Sequence, residues 1–284
     1  MMRLLIALMT LGLGAAVVVT FVNPEFTLEG AGSDWFPAEV GRGSEIVDEL
    51  YNTTNLIAVA LLVLTFGVLG WTVWRGAGRR DGEGSDRHGS GGLEVLWTAV
   101  PAVLIAYLTW IQIGARDAIA AATLGDDATI IDVEGAQFDW RFRYPGADGA
   151  LGTLDDVTEV VDMAVPIGRN IELRMHSADV IHSFYVPDLR LKRDVVPGTV
   201  TPLRFQIDPE DYAAAGSPAT LELRCAELCG WGHYAMVGRL RPMEPADFDA
   251  WLVARGEAKF SSDAAGDGEG SDSDGSDYED DEED

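Results

Sequence analysis

Two runs of nineteen residues without a charged side chain, Leu56–Trp74 and Val95–Ile113, restrict this chain more than any other feature. A helix needs about 20 consecutive apolar residues to cross the hydrocarbon core of a bilayer. Two such runs joined by a short loop predict a transmembrane hairpin spanning residues 50–116. Trp71 and Trp74 stand near one end of the first run, and Trp97, Tyr107 and Trp110 lie towards the ends of the second. Amphipathic rings favour that level of the membrane. The joining loop holds Arg75, Arg79, Arg80, Arg87 and His88. By the positive-inside rule it is cytoplasmic, so the chain beyond about residue 115 emerges on the outer face. An earlier apolar run, Leu4–Val22, follows Arg3. It is longer than the core of a signal peptide and has no clear small-residue cleavage site. A cleaved signal or a retained anchor over residues 1–25 both fit.

The net charge of −27 argues against a nucleic-acid partner, because a phosphate backbone attracts Lys and Arg. Residues 261–284 hold twelve Asp or Glu and no Lys or Arg, with Ser and Gly filling most of the rest. Such a segment buries too little apolar surface to offset ordering, and 257–284 is predicted to be a disordered tail. Acid excess also spreads over the body, as suits solubility at high salt, where charge is heavily screened. A salt-loving source follows as an expectation.

From residue 127 the texture becomes that of an all-β domain ending near 256. Thr129–Glu134 alternates apolar and polar residues, and Phe138, Trp140, Phe142 and Tyr144 alternate with Asp139, Arg141 and Arg143. Further strands are predicted at Val157–Val165, Asn170–His176, Leu203–Ile207, Thr220–Cys225 and Val237–Arg241. Turn signals at Pro145-Gly146, Pro197-Gly198 and Gly216-Ser217-Pro218 separate them. Short alternating strands at this spacing point to a β-sandwich. Pro245–Arg255 reads as a helix with Phe248, Trp251 and Leu252 on one face.

The chemistry concentrates in Cys225-Ala-Glu227-Leu-Cys229-Gly-Trp-Gly-His233-Tyr-Ala-Met236. Two thiols, an imidazole and a thioether lie within one loop-sized run. Thiolate and thioether are soft ligands that select copper(I), zinc or iron–sulfur. A disulfide would leave His233 and Met236 unexplained. Structural zinc sites use Cys and His, not Met. A mononuclear blue-copper site has one Cys fewer. Two Cys, two His and one Met suit a dinuclear copper site, whose second histidine must come from elsewhere. Of the four histidines, His88 lies in the cytoplasmic loop and His176 reads as a surface or packing residue on a strand. His182, in Asp179-Val-Ile-His182-Ser-Phe, is the remaining candidate.

These segments resemble subunit II of the haem–copper cytochrome c oxidases, in an acidic version like those of haloarchaea. The likeness rests on Ser177–Phe184, Leu191–Gly198 (LKRDVVPG), Cys225–Met236, the aromatic stretch Gly135–Trp140 and Leu93-Glu94-Val-Leu-Trp97-Thr-Ala-Val-Pro101, and it runs over most of residues 55–255. The resemblance implies a cupredoxin-like Greek-key sandwich outside the cell membrane, holding two copper ions as a copper A centre. His182, Cys225, Cys229, His233 and Met236 would supply side chains and Glu227 its backbone carbonyl. The Glu227 carboxylate would bind a magnesium ion shared with subunit I. It implies electron transfer from an external donor, by way of Phe138 and Trp140, to a partner chain that reduces oxygen to water. Glu94 would mark the mouth of a proton pathway, although a carboxylate at a helix start is favourable in its own right.

One departure stands out. Many relatives carry Trp directly after the Gln of the aromatic stretch, where cytochrome c delivers its electron, and here that residue is Phe138. The expected donor is a small blue-copper protein or a cytochrome c, and this departure favours the blue-copper protein. The copper subunit of a nitric oxide reductase is the nearest alternative. The copper domain of nitrous oxide reductase lacks the hairpin, and a copper-delivery protein would show flexible Met or His clusters that this sequence lacks.

Overall fold

The computed structural model describes Gly12 and residues 37–76, 89–123 and 127–266. The rest of the first apolar run, the loop residues Arg79, Arg80, Arg87 and His88, and the acidic tail beyond 266 lie outside the described residues.

Helix α1 (Ser44–Gly76) has 33 residues and helix α2 (Gly91–Ala122) has 32. At 1.5 Å per residue each is about 50 Å long, enough to cross a bilayer by length and composition. Many of their apolar side chains, among them Leu64, Val68, Leu96, Val103 and Ile105, are exposed. Polar groups within the apolar runs are satisfied internally. The Thr65 hydroxyl donates to the Leu61 carbonyl at 2.7 Å and that of Thr109 to Ile105 at 2.8 Å.

Ten strands follow: β1 (Thr129–Ala136), β2 (Asp139–Tyr144), β3 (Val157–Val160), β4 (Asp162–Pro166), β5 (Ile171–Ser177), β6 (His182–Val186), β7 (Leu191–Val195), β8 (Thr201–Phe205), β9 (Leu221–Cys225) and β10 (Val237–Met243). A short helix, α3 (Pro209–Ala214), precedes β9, and α4 (Pro245–Gly266) ends the described chain. The strands form two five-stranded sheets, ordered β3-β2-β1-β5-β8 and β4-β10-β9-β6-β7. Period-two burial shows why. In β2, Trp140, Phe142 and Tyr144 point inward, and in β9 Leu221, Leu223 and Cys225 do so. Ile131, Val133, Leu173 and Met175 of one sheet meet Met163, Phe184, Val186 and Leu240 of the other, all fully buried. Each such side chain contributes about 1.5–3 kcal/mol by leaving water. The Tyr144 hydroxyl stitches the sheets, donating to the Ala164 carbonyl at 3.0 Å and accepting from the Ala164 amide at 2.8 Å.

The structure corrects several expectations. Val157–Val165 is two strands, one in each sheet. Val161 between them takes a left-handed φ of 73°, and its amide bonds Trp140 of one sheet while its carbonyl accepts from Arg239 of the other. Strands β6 and β7 and helix α3 were absent from the sequence reading. Helix α4 runs to Gly266, beyond Arg255 and into the stretch expected to be disordered. Phe248 and Trp251 of α4 pack on Tyr144, with ring centroids 6.2 and 5.2 Å away.

The segment before α1 belongs to the sandwich. Val40 is fully buried in its core, its amide donates to Asp188 and its carbonyl accepts from Asp208. At the same junction Arg190 grips Asp48 of α1 through two bonds of 2.7 and 2.8 Å and also donates to the carbonyls of Pro37 and Pro187. The β domain is thereby clamped to the first turns of the hairpin.

Candidate metal centre

Strands β9 and β10 are antiparallel neighbours, with Arg224 opposite Val237. The run between them must therefore leave the sheet and return to the same place. The Cys225 amide donates to the Met236 carbonyl at 3.1 Å and closes the loop at its base. Inside it, amides of His233 and Ala235 bond back to Gly230 and Gly232, forming a tight turn over His233–Ala235. Strand β6 pairs with β9 through Phe184 opposite Cys225. That register sets His182, two residues earlier, beyond the end of β9 and beside the loop.

All six residues expected to hold metal come together. The Sγ atoms of Cys225 and Cys229 are 3.9 Å apart. Around Cys225 Sγ lie His182 Nδ1 at 3.8 Å and the Glu227 carbonyl at 3.2 Å. Around Cys229 Sγ lie His233 Nδ1 at 3.6 Å and Met236 Sδ at 3.8 Å. His182 is wholly buried, Cys225, Cys229 and Met236 nearly so, and His233 is half-buried. Both cysteines are free, since a disulfide would bring the sulfurs to about 2.05 Å.

Burial, and secondarily the neighbouring Cys225, push the Cys229 thiol up to about 11 in the metal-free protein. A cation is what such a pair needs in order to lose its protons. His182 is oriented from outside the ligand set. Its Nε2 lies 2.8 Å from Asp179 Oδ1, which assigns the proton to Nε2 and leaves the Nδ1 lone pair facing the sulfurs. Asp179 also accepts from the backbone amides of Gln137 and Val180. Burial alone would raise its pKa, but these bonds, with His182 foremost, hold it below the usual carboxylate range. The donor set is soft and imidazole-rich, buried and preorganised, and fits copper.

The aromatic stretch supports the loop from the other sheet. The Gln137 side chain donates to the Cys229 carbonyl. The half-buried Phe138 ring lies under the loop, so close that a Cβ on Gly232 would fall 2.5 Å from it. Trp140 is 1% exposed, with its ring centroid 6.1 Å from that of His182. Glu94 lies exposed in the first turn of α2. His176 sits apart from the centre, 3.5 and 3.4 Å from carboxylate oxygens of Asp132 and Glu134, in keeping with a surface role. Sequence reasoning missed Asp179 as the His182 partner, the Gln137 brace and the exposed Trp231. Asp179 had one visible signal, its position three residues before a candidate ligand.

The family model for the periplasmic domain of cytochrome c oxidase subunit II matches residues 147–240. Cytochrome c oxidase subunit 2 of Synechocystis sp. is 29% identical, over 85% of this chain and 81% of its own length. The alternative cytochrome c oxidase subunit 2 of Bradyrhizobium diazoefficiens is 34% identical over 50% of this chain and 61% of that protein. Among solved structures, the periplasmic domain of subunit II of the Bradyrhizobium japonicum cytochrome oxidase is 23% identical, with a TM-score of 0.39, covering 48% of this chain and 98% of that one. Beside the ligand loop, the two apolar helices and the β-sandwich, the chain is thus similar to cytochrome c oxidase subunit II, over residues 147–240 by the family model and over 85% of its length by the Synechocystis relative.

Proposed function

We propose that this chain is the electron-accepting subunit of a membrane-bound terminal oxidase and that its loop holds a dinuclear copper A centre. One observation carries the reading: five side-chain donors and one backbone carbonyl, from a strand end and a single loop, converge around two sulfurs 3.9 Å apart. A single four-coordinate ion could not use them all. Two copper ions could, with Cys225, Cys229, His182, His233, Met236 and the Glu227 carbonyl as the groups that would hold them. Such a pair supplies a one-electron relay. The protein's part is to keep the donors still, through the Cys225–Met236 backbone bond, the Gln137 brace and the Asp179 anchor, so that little must rearrange when charge changes. The exposed Glu227 carboxylate is free to bind a magnesium ion shared with subunit I. Glu94, at the start of α2, would take up protons from the cytoplasmic side.

The positive loop between α1 and α2 favours an outer-face β domain. The electron then comes from an external donor and passes to the haem–copper subunit I, which reduces oxygen to water. The stretch Leu228–Gly238 carries no charge at all, and Leu228, Trp231 and Tyr234 are 77%, 85% and 80% exposed. That surface favours a donor with an apolar contact face, such as a small blue-copper protein, over a basic cytochrome c. The family match favours the oxidase over a nitric oxide reductase. The acidic body supports a high-salt habitat. The test is copper loading of the full chain in detergent at high salt. Two coppers per chain with a seven-line mixed-valence paramagnetic resonance pattern support the reading. One copper with four lines, or zinc, refutes it.

A further inference from the structure

We infer that Trp231 is the contact through which the donor protein delivers its electron, an inference that rests on the copper reading above. Four aromatic side chains lie on or under the ligand loop: Phe138 and Trp140 are covered, Trp231 and Tyr234 are 85% and 80% exposed, and Trp231 is braced on the Phe138 ring. Trp140 is 1% exposed, lies in the core and cannot meet another protein. Phe138 is half-buried, covered by Gly230 and Gly232. Trp231 is 85% exposed. Its backbone lies two residues after Cys229 and two before His233, so the shortest covalent routes from the indole run through one glycine to a ligand on either side. Its ring meets Phe138 edge-on at a centroid distance of 5.2 Å, which braces an otherwise bare indole against the β1–β2 turn.

A large aromatic held out in water on a loop that must stay rigid serves neither the core nor the ligand set. An indole exposed within an uncharged stretch of loop, Leu228–Gly238, is the residue type that anchors protein contacts. In the step assigned to it, the reduced donor loses one electron and the copper pair gains it. No bond forms or breaks and no proton moves. The occupant of this surface is accordingly a one-electron donor protein whose own contact face is apolar.

The experiment uses the full chain in detergent, with Trp231→Ser and Trp231→Phe beside the wild type. A reduced small blue-copper protein serves as probe. Copper count and the paramagnetic resonance spectrum are recorded first, and hexaammineruthenium(II) is run as a small reductant that needs no docking. Binding of the probe is also measured on the metal-free chain. Trp231→Ser is expected to keep the copper spectrum and its reduction by the ruthenium complex. It should bind the probe roughly thirty-fold more weakly, the loss of one interface anchor, and be reduced by it correspondingly more slowly. Trp231→Phe should fall between the two. If the wild type forms no mixed-valence centre, the copper reading fails and takes this inference with it. If the centre forms and Trp231→Ser matches the wild type in probe binding and reduction, the inference alone is overturned.

Discussion

Replacing Gly232 by alanine tests whether the Phe138 ring props the ligand loop. A Cβ at Gly232 would lie 2.5, 2.6 and 2.8 Å from three atoms of that ring. Carbon atoms settle at about 3.5–4.0 Å, so ring or loop must give by about 1 Å. Gly232 has φ −90° and ψ 5°, which alanine can adopt, so the penalty is steric and not conformational. Overpacking of this size costs about 1–3 kcal/mol, less about 0.4–1 kcal/mol regained because alanine restricts the unfolded chain. If the loop yields, His233, the next residue, is displaced and copper affinity falls with stability. A double-mutant cycle isolates the contact. Phe138→Ala removes the obstacle, and in its presence Gly232→Ala should cost almost nothing. Melting of the metal-free chain and competition with a chromophoric copper(I) chelator give the two readouts. A coupling of about 1–2 kcal/mol is expected. Costs that simply add would show that Phe138 does not support the loop.

Three further outcomes follow from the same geometry. Asp179→Ala removes the acceptor that orients His182 and should weaken copper binding about 10–100-fold, read by chelator competition; unchanged affinity would mean that packing alone orients the ring. Arg190→Ala strands Asp48 and two carbonyls at the junction of hairpin and sandwich. It should destabilise the junction by about 3 kcal/mol and speed proteolysis around residues 37–44, and a wild-type cleavage rate would contradict the clamp. Glu172 bonds Arg204 and Arg174, and chiefly the Arg204 bond, against burial, holds its pKa below the usual value. Its folded pKa lies under the unfolded one, so its stabilisation is present above about pH 4.3 and is lost as pH falls through the lowered value. Glu172→Gln should therefore melt earlier than wild type near neutral pH, by roughly 0.5–1 kcal/mol, and the gap should close in acid.

The two apolar helices, the β-domain and the Cys225, Cys229, His233, Met236 cluster with His182 were legible from residue type and spacing, while the Glu227 carbonyl came only from the family resemblance. Uncharged runs of nineteen residues admit few other fates, and a cluster of soft ligands within twelve residues leaves few other chemistries. Helix α2, with Glu94 in its first turn, and the inward alternation of Trp140, Phe142 and Tyr144 were fixed by local pattern. What that pattern could not reveal were contacts made by residues distant in the chain. Val157–Val165 alternates well enough to read as one strand, and only the demands of two sheets force Val161 into a left-handed turn. Val40 joins the core and Arg190 finds Asp48 because the hairpin and the sandwich meet, that Arg and that Asp standing 142 positions apart in the chain. The roles of Asp179, Gln137 and Trp231 likewise appear only when β1, β6 and the β9–β10 loop share one end of the sandwich. Donor chemistry is a property of side chains and is written in the sequence. Orientation, exposure and support are properties of neighbours, and only the folded chain decides who those are.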